Sequence, residues 1–242
     1  MIRGKKIFKA SIGLLIILLL AFSYFTFAQP EGIGISSNIT EEKDASAASS
    51  ITTPGGSFTT MLLNGTFQTP RWKAYVGNVS GKMTLDDVSG STIYDWELAS
   101  VAGEVYVSRA SSINWTEIQC ITNTTLLAEQ SALNISSQNS DNINKTFNET
   151  VHKSFLVGTK NITSSSCRAI ATYISSEAQS TSENANFQEI LLEDNNNNVV
   201  FATIIEQSVS GFDDRAYDFQ LIVPDNPDTQ IDNTYYFFAE IS

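Results

Sequence analysis

The stretch Phe187-Gln-Glu-Ile-Leu-Leu-Glu-Asp-Asn-Asn-Asn-Asn-Val-Val-Phe-Ala-Thr-Ile-Ile205 contains two apolar runs on either side of a polar one. Residues 187–192 and 199–205 are rich in Phe, Ile, Leu and Val, which favour β-strands. Residues 193–198 are acidic and Asn-rich, as is typical of a turn or loop. The stretch therefore predicts a β-hairpin with a long polar connection.

Strand signals continue on both sides of this hairpin. Residues 93–98 and 104–108 alternate apolar and polar side chains, which is the pattern of half-buried strands. Further strands are predicted at residues 72–76, 83–85, 113–121, 154–157, 167–174, 217–223 and 235–241. Turn residues separate these segments at short, fairly regular intervals.

A small helical insert interrupts the strands. Residues 124–133 combine a polar cap candidate with good helix formers. Ile143, Phe147 and Val151 recur at intervals of four, so a second short helical turn is predicted. The fold class is therefore mainly β: a β-sandwich of about eleven short strands, formed by one domain over residues 58–242.

The chain has two cysteines, Cys120 and Cys167. In an oxidising compartment an isolated pair favours one disulfide, and two free buried thiols are the alternative. The bond would close a long loop and tie the front half of the domain to the back. The cysteine spacing matches no zinc motif.

The N-terminus carries an export signal. Four basic residues lie within the first nine, and residues 10–28 are apolar and uncharged, which is the pattern of a secretory signal. Thr26-Phe-Ala28 favours cleavage before Gln29. At about 19 residues, the run is also long enough to remain as a membrane anchor. Lys9-Ala10 allows a third interpretation, a pilin-type leader. Each of the three exports the rest of the chain.

Residues 29–57 have the composition of a linker. Ser, Thr, Ala, Gly and acidic residues dominate, without a sustained apolar period. Such a segment buries too little surface to offset its ordering entropy. We therefore expect a flexible stalk between the exported N-terminus and the domain.

Asn-x-Ser/Thr triplets are more frequent than chance predicts, which is about four for this composition. All of them precede residue 162, and no Asn beyond it lies in one. An Asn- and Ser/Thr-rich composition is the alternative explanation, but the clustering favours N-glycosylation of an exported surface. The nine predicted acceptors are Asn38, Asn64, Asn78, Asn114, Asn123, Asn134, Asn144, Asn148 and Asn161.

The charge balance excludes one large class of partner. The formal net charge is −12, with 14 Lys and Arg against 26 Asp and Glu. Nucleic-acid binding depends on neutralising phosphates, so no nucleic-acid partner is expected. Contact with anionic lipid is equally disfavoured, except through residues 10–28 if they are retained.

Several aromatic and turn motifs carry a resemblance to a known module. They are Arg71-Trp-Lys-Ala-Tyr-Val-Gly-Asn-Val-Ser-Gly81, Ile93-Tyr-Asp-Trp96, Gly103-Glu-Val-Tyr106, Tyr217-Asp-Phe-Gln-Leu221 and Thr234-Tyr-Tyr-Phe-Phe238. Together they resemble a recurrent β-rich module of uncharacterised archaeal exported and cell-surface proteins. The resemblance covers most of residues 58–242. It implies a β fold at the cell surface and carries over no catalytic residues.

Catalytic groupings are sparse. His152, the single histidine, has no serine elbow near it, so we expect it to be an exposed surface residue rather than a catalytic base. The acidic pairs Asp86-Asp87 and Asp213-Asp214 lie in turns, where Asp is favoured for local hydrogen bonds. The sequence therefore predicts no enzyme and no catalytic residue.

Calcium is the one candidate cofactor. Asp225, Asn226, Asp228 and Asp232 place four oxygen donors within eight residues, which suits a hard cation. Residues 193–198 form a second candidate loop. Neither has the spacing of an EF-hand, and ordinary polar hairpin loops are the alternative interpretation.

Aromatic side chains offer a second kind of site. On alternating strands they more often fill a core or pair across strands than bind sugar. The candidates for a sugar-stacking platform are Trp72, Tyr75, Tyr94, Trp96, Tyr106 and Trp115.

The features favour a non-enzymatic, glycosylated structural protein of the cell surface, as part of an S-layer-like coat or a filament. A secreted carbohydrate-binding or adhesion module is the alternative. Expected partners are further copies of the chain or other surface proteins and glycans. Contacts would use the sequon-free residues 162–242, including the aromatics at 235–238, unless these fill the protein's own core.

We predict that the mature chain begins at Gln29. N-terminal sequencing of the exported protein tests this. An N-terminus at Ser11 would instead indicate a pilin-type leader, and an intact Met1 in the membrane fraction would indicate a retained anchor.

Overall fold

An antiparallel sheet of seven strands forms the centre of a mainly β fold. The computed structural model describes residues 29–98, 100–228 and 233–241. The predicted signal or anchor at residues 1–28 lies outside them. Within these ranges, the structure contains no helix long and apolar enough to span a membrane.

The elements are short and follow one another closely. The strands are β1 (Glu31–Gly32), β2 (Trp72–Gly77), β3 (Lys82–Asp86), β4 (Thr92–Glu97), β5 (Gly103–Ser108), β6 (Gln119–Cys120), β7 (Phe155–Val157), β8 (Lys160–Ile162), β9 (Ala169–Ala171), β10 (Gln188–Glu193), β11 (Val199–Ile204), β12 (Val209–Ser210), β13 (Ala216–Tyr217), β14 (Phe219–Pro224) and β15 (Tyr236–Ile241). The helices are α1 (Asn123–Ala132) and α2 (Ile143–Thr146), and Trp115–Glu117 forms a 3-10 turn.

The predicted hairpin at residues 187–205 forms β10 and β11, at the heart of the sheet. The strand order is β1-β15-β5-β11-β10-β6, with β9 beside the other end of β10. Leu191 lies opposite Phe201 in the hairpin, and Phe201 lies opposite Val107 of β5. Every residue of β10 and β11 is buried, so both faces of the sheet are covered.

One face of the sheet packs against the ribbon β2–β14 and the two helices. Val107, Leu191 and Phe201 meet Leu221 and Val223 of β14 in a single apolar cluster. Side chains of the sheet also bond the backbone of β14. Glu189 Oε2 accepts from Ile222 N at 2.9 Å, and Thr203 Oγ1 donates to Gln220 O at 3.0 Å. Through these two bonds, the N–H of Ile222 and the C=O of Gln220 find hydrogen-bond partners in side chains of the sheet.

The opposite face is covered by the hairpin β7–β8 and the 3-10 turn. Tyr106, Ile190 and Val200 pack there with Phe155 and Ile162. Where β5 meets β15, Gly103 has φ +126, and a Cβ on it would lie 2.0 Å from Glu240 O. A side chain at this position would therefore separate the two strands.

Capping explains where the helices begin. Thr122 Oγ1 accepts from Thr125 N at 3.2 Å, and Asn142 Oδ1 accepts from Lys145 N at 2.9 Å. Both residues are good N-caps. Helix α1 confirms the helix predicted at residues 124–133, whereas the second predicted turn ends at Thr146, so Phe147 and Val151 lie outside it. Arg109, just beyond β5, forms a two-bond ion pair with Glu129 that holds α1 against the sheet.

The prediction of one strand over residues 113–121 is wrong for most of its length. Asp194 Oδ2 accepts from Asn114 N at 3.0 Å, and the chain then makes the 3-10 turn. Ile113 and Ile118 reach the core from this turn rather than from a strand. Only β6 pairs with the sheet, opposite Leu192 and Glu193.

Residues 93–98 were predicted to be half-buried, and this is also wrong. The hairpin β3–β4 is exposed at every residue of both strands. The alternation is present, since Met83 pairs with Trp96 and Leu85 with Tyr94 on one face. In the part of the chain that the structure describes, nothing buries that face.

The segment predicted as a linker begins inside the sheet. Glu31 and Gly32 pair with Ala239 and Phe238 of β15, which partly covers the edge of that strand. Residues 33–69 form no helix or strand. The regular fold therefore includes two residues before residue 58 and resumes only at β2.

The aromatics at residues 235–238 are mostly core residues. Phe238 is buried, and Tyr235 and Phe237 pack partly buried against the sheet. Tyr236 alone among the four is exposed. The alternative that these aromatics fill the protein's own core therefore holds for Phe238 and in part for Tyr235 and Phe237.

The disulfide gives the first stability prediction. Cys120 and Cys167 are bonded, with a Cα–Cα distance of 4.9 Å and a separation of 47 residues. We expect Cys120→Ser to lower the free energy of unfolding by about 4 kcal/mol, because the unfolded chain regains the loop's freedom. Denaturant unfolding without reductant measures this.

Reduced wild-type protein is the matched control, and it should unfold like the variant. Stoichiometric thiol labelling of the unreduced, denatured wild type would show that no bond forms.

Candidate functional site

The disulfide and His152 together form a buried anchor for the loop before β9. Nε2 of His152 accepts from Ser166 N at 3.2 Å and from Cys167 N at 3.0 Å. Nδ1 lies 2.8 Å from Lys153 O, which assigns the ring proton to Nδ1. Both ring nitrogens are therefore occupied by backbone groups.

The expectation that His152 is an exposed surface residue is wrong. The side chain is fully buried and packs edge-on against Phe155. Burial lowers its pKa, although the bond to Lys153 O opposes this. The neutral ring holds backbone N–H groups, which is a structural use of histidine. The single histidine, between Val151 and Lys153, gave no sequence signal that its side chain would be buried.

The predicted glycan acceptors lie on the surface. Eight of the nine sequon asparagines are exposed, and Asn114 is half-buried. Asn142, which is not in a sequon, is buried as the cap of α2. Exposure is not confined to the sequons, since Asn195, Asn196 and Asn197 are exposed outside them.

Short elements position several of these asparagines. Asn123 is the first residue of α1, Asn144 lies in α2 and Asn161 lies in β8. Some already have partners. Asn123 Oδ1 accepts from Arg168, and Asn114 Nδ2 donates to Asn195 Oδ1 at 3.1 Å. A glycan on Asn114 would replace one of its amide hydrogens, so that contact would have to change.

The first candidate calcium loop is described only in part, because Asp232 lies outside the described residues. Asp225 Oδ1 accepts from Asn226 N and from Asn233 Nδ2, and Asn226 Oδ1 accepts from Asp228 N. These oxygens are used to shape the turn. Among the described residues, no three His, Cys, Asp or Glu side chains come together as a metal site.

The second candidate loop is organised by Asp194. Its carboxylate accepts from the backbone N of Asn114, Asn196 and Asn198 and from Asn198 Nδ2. Burial raises the pKa of Asp194, but these hydrogen bonds outweigh burial and lower it. The ionised side chain thus closes the β10–β11 connection and holds the 3-10 turn beside it.

The acidic pairs in turns also serve local structure. Asp87 Oδ1 accepts from Ser89 N and Ser91 N at 2.8 Å each. Asp213 pairs with Arg215 and accepts from Tyr217 Oη. This is the Asp-turn chemistry that the sequence indicated for both pairs.

The six aromatic candidates do not form one platform. Trp72 and Tyr75 pack against the cluster beneath β14, whereas Tyr106 and Trp115 contact each other on the opposite face of the sheet. The exception is Tyr94 and Trp96 on β4. Both are exposed, and their ring centroids lie 4.9 Å apart.

A buried group of acids was not predicted from the sequence. Glu104 of β5 lies directly opposite Glu240 of β15. Tyr106 Oη is 3.5 Å from a carboxylate oxygen of each, and Gly158 N donates to Glu240 at 2.7 Å. Burial, with Glu240 nearby, raises the pKa of Glu104 to about 8. Burial also raises the pKa values of Glu240 and Tyr106.

Glu189 is a second buried acid. It is fully buried on the other face of the sheet, and its Oε1 has no hydrogen-bond partner among the described residues. Burial raises its pKa well above the ordinary value, against the bond from Ile222 N. A neutral carboxyl that accepts one backbone N–H fits this environment. Strand periodicity cannot distinguish such an inward acid from an exposed one.

Comparisons with known proteins identify no relative. The chain matches no protein-family model, no curated protein and no solved structure.

The buried acids predict an unusual pH dependence. The folded pKa of Glu104, about 8, exceeds its ordinary value of 4.5. Its stabilising contribution is therefore complete below pH 4.5 and is lost as the pH rises toward 8. We expect the protein to lose a few kcal/mol of stability across this window, roughly 1.4 kcal/mol for each pKa unit at most.

Glu104→Gln should reduce this loss, because an amide stays neutral at every pH. Thermal unfolding at several pH values between 4.5 and 8 measures it, with the exposed Glu117→Gln as control. If stability falls equally with rising pH in the wild type and both variants, Glu104 is ionised in the folded protein and the prediction is wrong.

Proposed function

We propose that the chain is a non-enzymatic, glycosylated structural protein of the cell surface, exported by its N-terminal segment. The observation that carries the proposal is the placement of the nine sequon asparagines. Eight are exposed on a disulfide-linked β scaffold. Such a protein suits a coat or filament, because its glycans can face solvent while the part of its surface without sequons makes contacts.

The use of the polar side chains supports a structural role. Three polar groups are used by the fold: His152 holds a loop, Asp194 closes a connection and Glu189 bonds β14, whereas Glu104 and Glu240 form a separate acidic pair. A catalytic site needs a nucleophile or an acid–base pair open to substrate. These three groups instead bond the backbone of the chain itself.

We also propose that the architecture is a β-sandwich. The seven-stranded sheet supplies one layer, and the ribbon β2–β14 supplies a second, smaller one. The shared apolar cluster between Phe201 and Leu221 supports this assignment. A β-sandwich agrees with the resemblance of residues 71–81 and 217–221 to the β-rich archaeal cell-surface module. On the basis of the same residues, we propose that the chain belongs to that module.

A carbohydrate-binding module is the second candidate, and one observation favours it. Tyr94 and Trp96 form an exposed aromatic pair on β4, and aromatic faces stack on sugars. A glycan array with the wild type and Trp96→Ala tests it. If the wild type binds a specific sugar and the substitution abolishes this binding, carbohydrate binding becomes the better-supported function.

The structural proposal predicts surface location and occupied sequons together. In the native cell, a tag after residue 242 should be accessible from outside. Peptide mapping should find glycans at exposed sites such as Asn144, Asn148 and Asn161. Asn195 is the internal control because it is exposed but lies outside any sequon, and it should stay unmodified. An intracellular protein with these sites unmodified would contradict the proposal.

A further inference from the structure

One asparagine of the chain is followed directly by glycine. Asn64 precedes Gly65, and none of the other asparagines in the sequence has glycine after it. The backbone nitrogen of the residue after an asparagine can attack the side-chain amide carbon and close a succinimide ring. A Cβ on that following residue hinders the attack, and glycine has none. Asn64-Gly65 is therefore the pair in this sequence that is most open to the reaction.

The structure leaves this pair exposed and unrestrained. Asn64 and Gly65 are both exposed, and residues 33–69 form no helix or strand. Among the described residues, neither the Asn64 side chain nor the Gly65 N–H makes a hydrogen bond. A regular helix or strand fixes φ and ψ and keeps the two reacting atoms apart. Nothing of that kind holds Asn64 and Gly65.

The exposed asparagines of the β10–β11 connection show the opposite arrangement. The nitrogen that would attack each of Asn195, Asn196 and Asn197 belongs to the next residue in the chain. Asp194 accepts from all three of these nitrogens: Oδ1 accepts from Asn196 N at 2.8 Å and from Asn198 N at 3.0 Å, and the backbone O accepts from Asn197 N at 3.1 Å. Exposure alone is therefore not sufficient, and these three asparagines are internal controls.

The conformation of Gly65 does not itself require glycine. Its φ is not in the positive region that favours glycine. A Cβ at this position would meet the ring of Phe67, with Cζ at 2.9 Å. Phe67 is 89% exposed, so its ring can move aside. The fold should therefore accept Gly65→Ala, which adds the methyl group that hinders ring closure.

We propose that Asn64-Gly65 is a site of spontaneous deamidation, and that a glycan on Asn64 protects the exported protein from it. The Gly65 nitrogen gives up its proton and bonds to Cγ of Asn64. The Cγ–Nδ2 bond breaks, and the side-chain amide leaves as ammonia with that proton. Water then opens the ring at either carbonyl, which yields aspartate or isoaspartate.

The sequon supports the protective part of the proposal. Asn64-Gly-Thr66 is one of the predicted acceptors, and its glycan would be attached to Nδ2, the nitrogen that has to leave. A glycan makes that leaving group bulky and shields Cγ from attack. Aspartate is not an acceptor, so a bare site that deamidates can no longer be glycosylated. This part rests on the proposed glycosylation, whereas the reaction of the bare site does not.

The reaction would change a neutral part of the chain. Residues 58–67 contain no charged side chain, so either product introduces a carboxylate there. Isoaspartate also routes the backbone through the former side chain and lengthens it by a methylene group. A glycan on Asn64 would thus preserve both the charge and the course of this segment.

The first experiment uses the predicted mature chain, residues 29–242, produced without glycosylation. After incubation at neutral and at mildly alkaline pH, peptide mapping should find aspartate and isoaspartate at position 64. The alkaline sample should react faster, because the attacking nitrogen must lose its proton. Gly65→Ala should react at least about tenfold more slowly. Asn195, Asn196 and Asn197 should stay intact, which also shows that the fold has persisted.

Isoaspartate is the decisive product, because direct hydrolysis of the amide gives aspartate alone. The second experiment maps the protein exported by its native host, with glycans left in place. Thr66→Ala removes the sequon but keeps Asn64-Gly65, so this variant should carry isoaspartate at position 64. The wild type and Gly65→Ala keep the sequon and should carry a glycan on an intact asparagine.

The other outcomes overturn one part of the inference or the whole. An unglycosylated chain that keeps asparagine at position 64, or that reacts as fast with Gly65→Ala, would exclude the reaction. Isoaspartate as abundant in the glycosylated wild type as in Thr66→Ala would exclude protection. A native wild type without a glycan at Asn64 but with isoaspartate would support the reaction and remove glycosylation at this site. A native wild type with an intact and bare Asn64 would contradict the whole inference.

Discussion

The pairing of β10 with β11 is the constraint on which the rest of the structure depends. All six residues of each strand are buried, so both faces of the sheet are covered there. A sheet of this kind is stable only if each face is covered by something else. The ribbon β2–β14 and the helices cover one face, and the hairpin β7–β8 covers the other. The disulfide joins β6 to the loop before β9, so it closes the sheet beside the same hairpin.

Burial on both faces also explains the unusual polar interior. Inward positions of β5, β10 and β15 hold the acids Glu104, Glu189 and Glu240. Among the described residues none of the three forms an ion pair, and burial raises the pKa of each. A carboxyl that keeps its proton or accepts a backbone N–H lowers the cost of its burial. Glu189 does the second for β14, whose Ile222 N has no strand partner on that side. Glu189 therefore helps the ribbon β2–β14 lie beneath the sheet by pairing a backbone N–H of β14.

Much of this fold could be predicted from the sequence, and the parts that could not share a cause. The β10–β11 hairpin, the capped helices and the cysteine pair each follow from local chemistry. The strand expected at residues 113–121 failed because Asp194, eighty residues away in the chain, bonds Asn114 N and turns the chain. His152 and Glu189 were missed for the same reason, since their partners are backbone groups that only the folded chain brings close. In the described parts of both candidate calcium loops, carboxylate oxygens accept hydrogen bonds from nearby backbone groups, and calcium binding stays a prediction.

The hairpin β3–β4 shows a different limit. Its alternation correctly indicates a strand with one apolar face, yet the periodicity cannot say which surface covers that face. In most domains the cover is the protein's own core, so half-burial is the natural inference. Here the sheet's two faces are already occupied by β2–β14 and by β7–β8, and a third cover is missing among the described residues. An amphipathic strand that the fold leaves exposed is consistent with selection for contact with another molecule. The uncharged segment at residues 58–67 leaves its apolar side chains exposed in the same way.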